Sequence, residues 1–176
     1  MTATAAPPAV VSGTVLFTDL VGFTEFTAVQ GDAGALDLLA KQEEIVRAVM
    51  PQGSRTVKEL GDGLLLWFPD ADSALATALD LQDGFEAAAE ETALPLWVRM
   101  GLHWGRQTPR GDDLVGHDVN VAARIVDVAG PGEVLLSDST LRALAHADAR
   151  ICFDELGPVV MKGLPDAIPL FRAWRD

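Results

Sequence analysis

The 176-residue chain has one cysteine, no tyrosine, half as many basic as acidic residues and no long apolar run. A lone Cys152 can neither close an intrachain disulfide nor furnish a cysteine-rich zinc site, which fits a reducing compartment. Thirteen Lys and Arg against 26 Asp and Glu leave a net charge of −13, which repels phosphate backbones and argues against a nucleic-acid polymer as partner. A small phosphate ligand remains compatible with that charge where metal ions screen the carboxylates. No stretch approaches the roughly 20 apolar residues of a membrane span, so no membrane insertion is expected. The opening "MTATAAPPAVV" also lacks the basic residues and apolar centre of a signal peptide. Residues 1–11 are therefore expected to be a flexible lead, and residues 12–176 one soluble, cytoplasmic domain large enough for an unstapled core.

What is present reads as an α+β chain. "GTVLFTD" (Gly13 to Asp19) is a β-branched and apolar run ending on a carboxylate, the pattern of a buried strand. Two stretches with helical spacing follow, broken at Gly31 and Asp32. "SRTVKEL", the turn residues Gly61, Asp62 and Gly63, and "LLLWF" then predict a hairpin whose second strand is apolar on both faces and so belongs inside a sheet. Ala71 to Glu91 predicts a helix and "LPLWVRMGLHWG" a further strand. This β-α-β-β-α-β order, with a right-handed crossover, predicts a ferredoxin-like core with spatial strand order 4-1-3-2. A helix from about His117 to Ala129, a short helix near Leu141 and several strands form an appended β-rich C-terminal tail.

That strand order has a chemical consequence. The end of the first strand abuts the start of the third, so Asp19 and Asp62 should lie side by side although they are 43 positions apart in sequence. Two adjacent carboxylates repel unless a positive charge sits between them, and they suit hard divalent cations that keep waters for a substrate's phosphates. Taken singly, Asp19 reads equally as a helix cap and Asp62 as a turn residue. After Asp19, Gly22 lets the backbone approach a ligand, and the helix starting near Phe23 offers unpaired N–H groups to an anion. Asn120 and Arg124, four apart on a helix, share one face; a solvated polar pair is the alternative reading. The three histidines lack metal-ligand spacing and read as core or surface residues.

Four segments in order, "LFTDLVGFTEF", "VKELGDG", "DLVGHDVNVAAR" and "MKGLPDAIPLF", run from Leu16 to Phe171. Together they resemble the class III nucleotidyl cyclase catalytic domain, in its palm-like, antiparallel α+β form. The resemblance implies that Asp19 and Asp62 hold two Mg2+ or Mn2+ ions and that Lys58 and Asp113 read an adenine ring. A lysine donating to a ring nitrogen and a carboxylate accepting from the 6-amino group suit adenine, where guanine carries an oxygen. It further implies that Asn120 orients the ribose, that Arg124 offsets charge on the α-phosphate, and that Gly22, Phe23 and Lys162 lie along the phosphates. A solvated lysine is the alternative for Lys162. Leu114 departs from the aromatic that many members carry there. The implied activity is conversion of ATP to 3′,5′-cyclic AMP and pyrophosphate in a head-to-tail homodimer with sites at the interface. The alternatives are a degenerate cyclase-like domain that binds nucleotide or a regulatory partner without turnover, and a guanylate cyclase.

Overall fold

The computed structural model describes residues 9–92 and 94–176. Of the expected lead, residues 1–8 lie outside the described residues. Strand β1 (Val11–Leu20) already includes Val11, which pairs with Gln107.

The elements that follow are α1 (Phe23–Val49), β2 (Arg55–Leu60), β3 (Gly63–Phe68), α2 (Ala71–Thr92) and β4 (Val98–Arg110). Next come β5 (Asp113–Val115), α3 (His117–Val128), β6 (Val134–Ser137), α4 (Asp138–Ala143), β7 (Ile151–Val159) and β8 (Ile168–Arg175). The break expected at Gly31 is a kink inside α1, where Gly31 takes φ 74° and ψ −178°. Only glycine enters that backbone region without a Cβ penalty.

The sheet order is β2-β3-β1-β4-β6-β8-β7, with β5 paired to β4. Its first four strands reproduce the 4-1-3-2 order of a ferredoxin-like core, read from the other edge. The C-terminal strands extend this same sheet. Strand β6 is buried at all four positions, so it needs neighbours on both sides; it runs parallel to β4 and antiparallel to β8.

Period-two alternation sorts the side chains of the sheet onto two faces. Leu16, Leu64, Leu66, Phe68, Met100 and Leu102 point to the face covered by α1 and α2 and form the large core. Val15, Phe17 and Leu65 point to the opposite face and pack with Leu114 and with Val119, Ala122 and Val126 of α3. Helix α3 lies close on β4 because Gly101 has no side chain; a Cβ there would stand 2.5 Å from the Val126 amide nitrogen.

Candidate active site

Asp19 is the ninth residue of β1, next in the alternation after Val15 and Phe17, so it emerges on the α3 face. The antiparallel register Thr18↔Leu64 brings the β2–β3 turn, with Asp62, to the end of β1. The two carboxylates sense each other. Burial raises the Asp62 carboxyl above the ordinary range, and the Asp19 charge adds to that rise while backbone N–H groups of Asp62 and Leu20 and the Arg99 cation oppose it.

The turn is pinned from two sides. Gln42, a buried residue of α1, donates through Nε2 to the Asp62 carbonyl at 3.1 Å, and the Leu64 amide donates to Thr18 Oγ1 at 3.2 Å. Gly63 is required by proximity, since a Cβ would stand 2.5 Å from the Thr18 carbonyl oxygen.

Arg99 is a member of this site that motif reading passed over. It lies directly opposite Asp19 in the β1–β4 ladder and grips Asp19 Oδ2 with Nε at 2.8 Å and Nη2 at 2.7 Å. The signal was available: extending the 4-1-3-2 order to its first residues puts the start of β4 beside the end of β1. Arg99 also donates to the Asp127 carbonyl at 3.2 Å, and Arg124 Nη1 stands 3.0 Å from Asp127 Oδ2. Asp19, Arg99, Arg124 and Asp127 thus line one open cavity of about 340 Å³, together with Phe17 and Gly63.

Lys58 and Asp113 meet separately. Lys58 Nζ is 2.8 Å from Asp113 Oδ2, with each side chain 37% exposed, and this donation holds the Asp113 carboxyl below the usual range. The contact depends on a β-bulge. Thr56 pairs with Leu66 and Lys58 with Leu65, leaving Val57 as an extra residue on β2. Strict alternation would send Val57 and Lys58 to opposite faces. With the bulge, Val57 packs against the α3-side core while Lys58, opposite Leu65, turns to the same side. Asp113 is delivered by β5 through its pairing with Arg110, and Arg55 ties β2 to this hairpin by donating to the Asp112 carbonyl at 2.9 Å. Leu114 is buried beneath the pair and fills the position noted for its missing aromatic.

The remaining candidates divide. Asn120 is exposed and Arg124 half-buried on the outward side of α3, whose inward side is Val119, Ala122, Ile125 and Val126. Gly22 caps α1 in the left-handed region (φ 76°), and Phe23 packs on the large core. Lys162 is exposed on the loop after β7, next to Met161, which is buried among Val121 and Ile125 of α3; no hydrogen bond or ion pair joins it to the other candidates among the described residues. No cluster of three or more metal-ligating side chains occurs among the described residues.

The sheet is palm-like, with two acidic side chains at adjacent strand ends and a basic–acidic pair on the same face. Residues 8–171 match the family described as the adenylate and guanylate cyclase catalytic domain, and the chain belongs to that family. A pH-sensitive adenylate cyclase of Mycobacterium tuberculosis is 33% identical over 164 residues, covering 92% of this chain and 40% of that protein. An adenylate cyclase of Streptomyces griseus is 34% identical over 138 residues, covering 77% of this chain and 33% of that protein. The chain thus spans well under half the length of these relatives. The crystal structure of an adenylyl cyclase from P. aeruginosa has the same fold, with a TM-score of 0.86 at 21% identity over 97% of each chain. An adenylate/guanylate cyclase/hydrolase from Silicibacter pomeroyi gives 0.81 at 25% identity, covering 97% of this chain and all of that one.

Proposed function

We propose that the chain is an adenylate cyclase. The 3′-oxygen of ATP's ribose attacks the α-phosphorus, the bond from that phosphorus to the bridging oxygen breaks, and pyrophosphate leaves as 3′,5′-cyclic AMP forms. The observation that carries the substrate choice is the Lys58–Asp113 pair, a cationic donor and an anionic acceptor 2.8 Å apart on one surface. Those groups fit adenine's ring nitrogen and 6-amino group, whereas guanine presents an oxygen to the carboxylate.

The Asp19 and Asp62 carboxylates fit divalent cations by an observation of this chain. Burial and the Asp19 charge press on the Asp62 carboxyl, a strain that a divalent cation would relieve; Asp19 Oδ2, now paired with Arg99, would exchange that contact for the metal. Bound there, Mg2+ or Mn2+ would neutralise the triphosphate and acidify the attacking hydroxyl. Asn120 would orient the ribose. Arg124, always charged and presenting a fork of donors, would offset charge on the α-phosphate, a kind of contribution worth ~3 kcal/mol. Gly22 and Phe23 at the start of α1 would place backbone N–H groups along the phosphates, with Lys162 beyond them.

Two strand residues and a tight turn separate Lys58 from Asp62, on the order of 10 Å. The family resemblance implies a head-to-tail homodimer in which one subunit supplies Asp19 and Asp62 and the other supplies Lys58, Asp113, Asn120 and Arg124. Purified protein with Mn2+ and either ATP or GTP tests the reaction: cyclic AMP and pyrophosphate from ATP are expected, and no cyclic product from either nucleotide would sink it. Asp19→Ala and Lys58→Ala, each inactive alone, should recover partial activity when mixed. Failure to do so, with subunit exchange demonstrated, would overturn the shared site.

A further inference from the structure

His103 sits in the middle of β4 on the α3 face and is 8% exposed, yet the reaction proposed above does not use it. Its Nδ1 is 2.7 Å from Ser137 Oγ, and its Nε2 is 3.4 Å from Asp118 Oδ1. Ser137 is itself fixed. It caps α4, accepting from the Thr140 amide at 3.3 Å, and Thr140 Oγ1 in turn accepts from the Trp104 amide at 2.8 Å. The ring is therefore held from the β6–α4 side and directed at the first turn of α3.

Asp118 is received by three parts of β4. Its Oδ2 accepts from the Arg106 amide at 2.6 Å, its Oδ1 faces His103, and its carboxylate occupies the space that a Cβ on Gly105 would need. Four residues back along β4, Gly101 admits the other end of α3 at Val126. The helix thus rests on two bare positions of one strand, and Asp118 is its polar anchor. At 100° per residue, Asn120 lies about 200° and Arg124 about 240° around the helix from Asp118. An anchor that points Asp118 at the sheet consequently points Asn120 and Arg124 away from it.

We infer that His103 is a positioning residue: braced by Ser137, it holds Asp118 and so fixes the rotation of α3 that presents Asn120 and Arg124. This rests on the proposed cyclase reading, and it assigns His103 no contact with substrate. A group acting through Arg124 affects the transition state more than ground-state binding, so its loss should lower kcat while leaving KM nearly unchanged.

The test compares His103→Phe, which keeps a planar ring and removes both polar contacts, with His103→Gln, whose amide can still reach Asp118. For His103→Phe we expect a tenfold or greater fall in kcat for cyclic AMP formation. KM for ATP should stay within threefold, and amide hydrogen exchange should quicken at α3 but not at α2. His103→Gln should recover most of the loss in kcat. A His103→Phe variant with kcat within twofold of the parent, or with unchanged exchange at α3, overturns the inference. Should that variant fail to fold, Asp118→Ala reads the same link. It removes the group that meets both the Arg106 amide and the His103 ring in either tautomer, so an unchanged kcat would again overturn it. A parent protein that makes no cyclic AMP defeats the cyclase reading instead, and the exchange measurement then still decides whether His103 holds α3.

Discussion

Leu66 and Leu65 are neighbours on β3, both fully buried, and their side chains enter different cores. Leu66 joins a continuous apolar layer under α1 and α2 that includes Phe68, Phe85, Leu75 and Met100. Leu65 joins a smaller layer under α3, bordered by the Lys58–Asp113 pair on one side and the Asp19–Arg99 pair on the other. The first face has the area to hold the fold, at about 25 cal/mol per Å² of apolar surface buried. The second has just enough apolar contact to seat one helix, and charged groups occupy its margins. Charges are cheap to place at such margins because water still reaches them, and expensive to place under α1 and α2.

The contrast can be broken most sharply at Arg124. Arg124→Ala should lower kcat by about 100- to 1,000-fold, with no change in urea midpoint, because the side chain is 43% exposed and its ion pair with Asp127 is a surface one. A change in midpoint of more than a few tenths molar would show that α3 contributes more to stability than its small core suggests.

On the other face the effects should reverse. Leu66→Ala leaves a cavity among Leu16, Phe68 and the α2 side chains and should cost ~3 kcal/mol of unfolding free energy. The fraction that remains folded should keep its ratio of ATP to GTP turnover. Denaturant titration paired with both assays checks this.

Asp62 sharpens the comparison by setting stability against function at one residue. Its folded-state carboxyl is raised by burial and by Asp19. The stability tied to this group is therefore fully present below the unfolded carboxylate value and is lost as pH rises through the raised folded value. At neutral pH without divalent cations, Asp62→Asn should melt higher than the parent while losing activity. The difference should vanish near pH 3, and added Mn2+ should raise the parent's melting temperature only.

The smallest effect is expected at Asp127, which holds Arg124 at 3.0 Å on the exposed side of α3. Asp127→Asn should free the guanidinium and raise kcat by less than about fivefold, since an exposed pair is worth at most ~1 kcal/mol. A fall in kcat would show that Asp127 directs Arg124 toward its working position.

Much of this was legible in the residues. The apolar run ending at Asp19, the Gly-Asp-Gly turn and the alternation of strands and helices suffice for the 4-1-3-2 order, and that order alone puts Asp19 beside Asp62. The Lys58 and Asp113 pairing came from the resemblance, and the 2.8 Å contact is its geometric counterpart. Gln42 was not legible, since one buried glutamine on an amphipathic helix carries no sign that its amide reaches a turn 20 residues on. His103 read as an ordinary histidine because its partners lie 15 and 34 positions away on other elements.

Local pattern determined which residues become strands and helices, and through the topology rules it also determined that two carboxylates converge. Those outcomes depend on short-range sterics and on hydrophobic period, which a linear sequence displays. The bulge at Val57, the grip of Arg99 on Asp19 and the seating of α3 on Gly101 and Gly105 were decided only by tertiary structure. Each depends on which strand becomes a neighbour and in what register, and a shift of one residue would turn every one of those side chains to the opposite face.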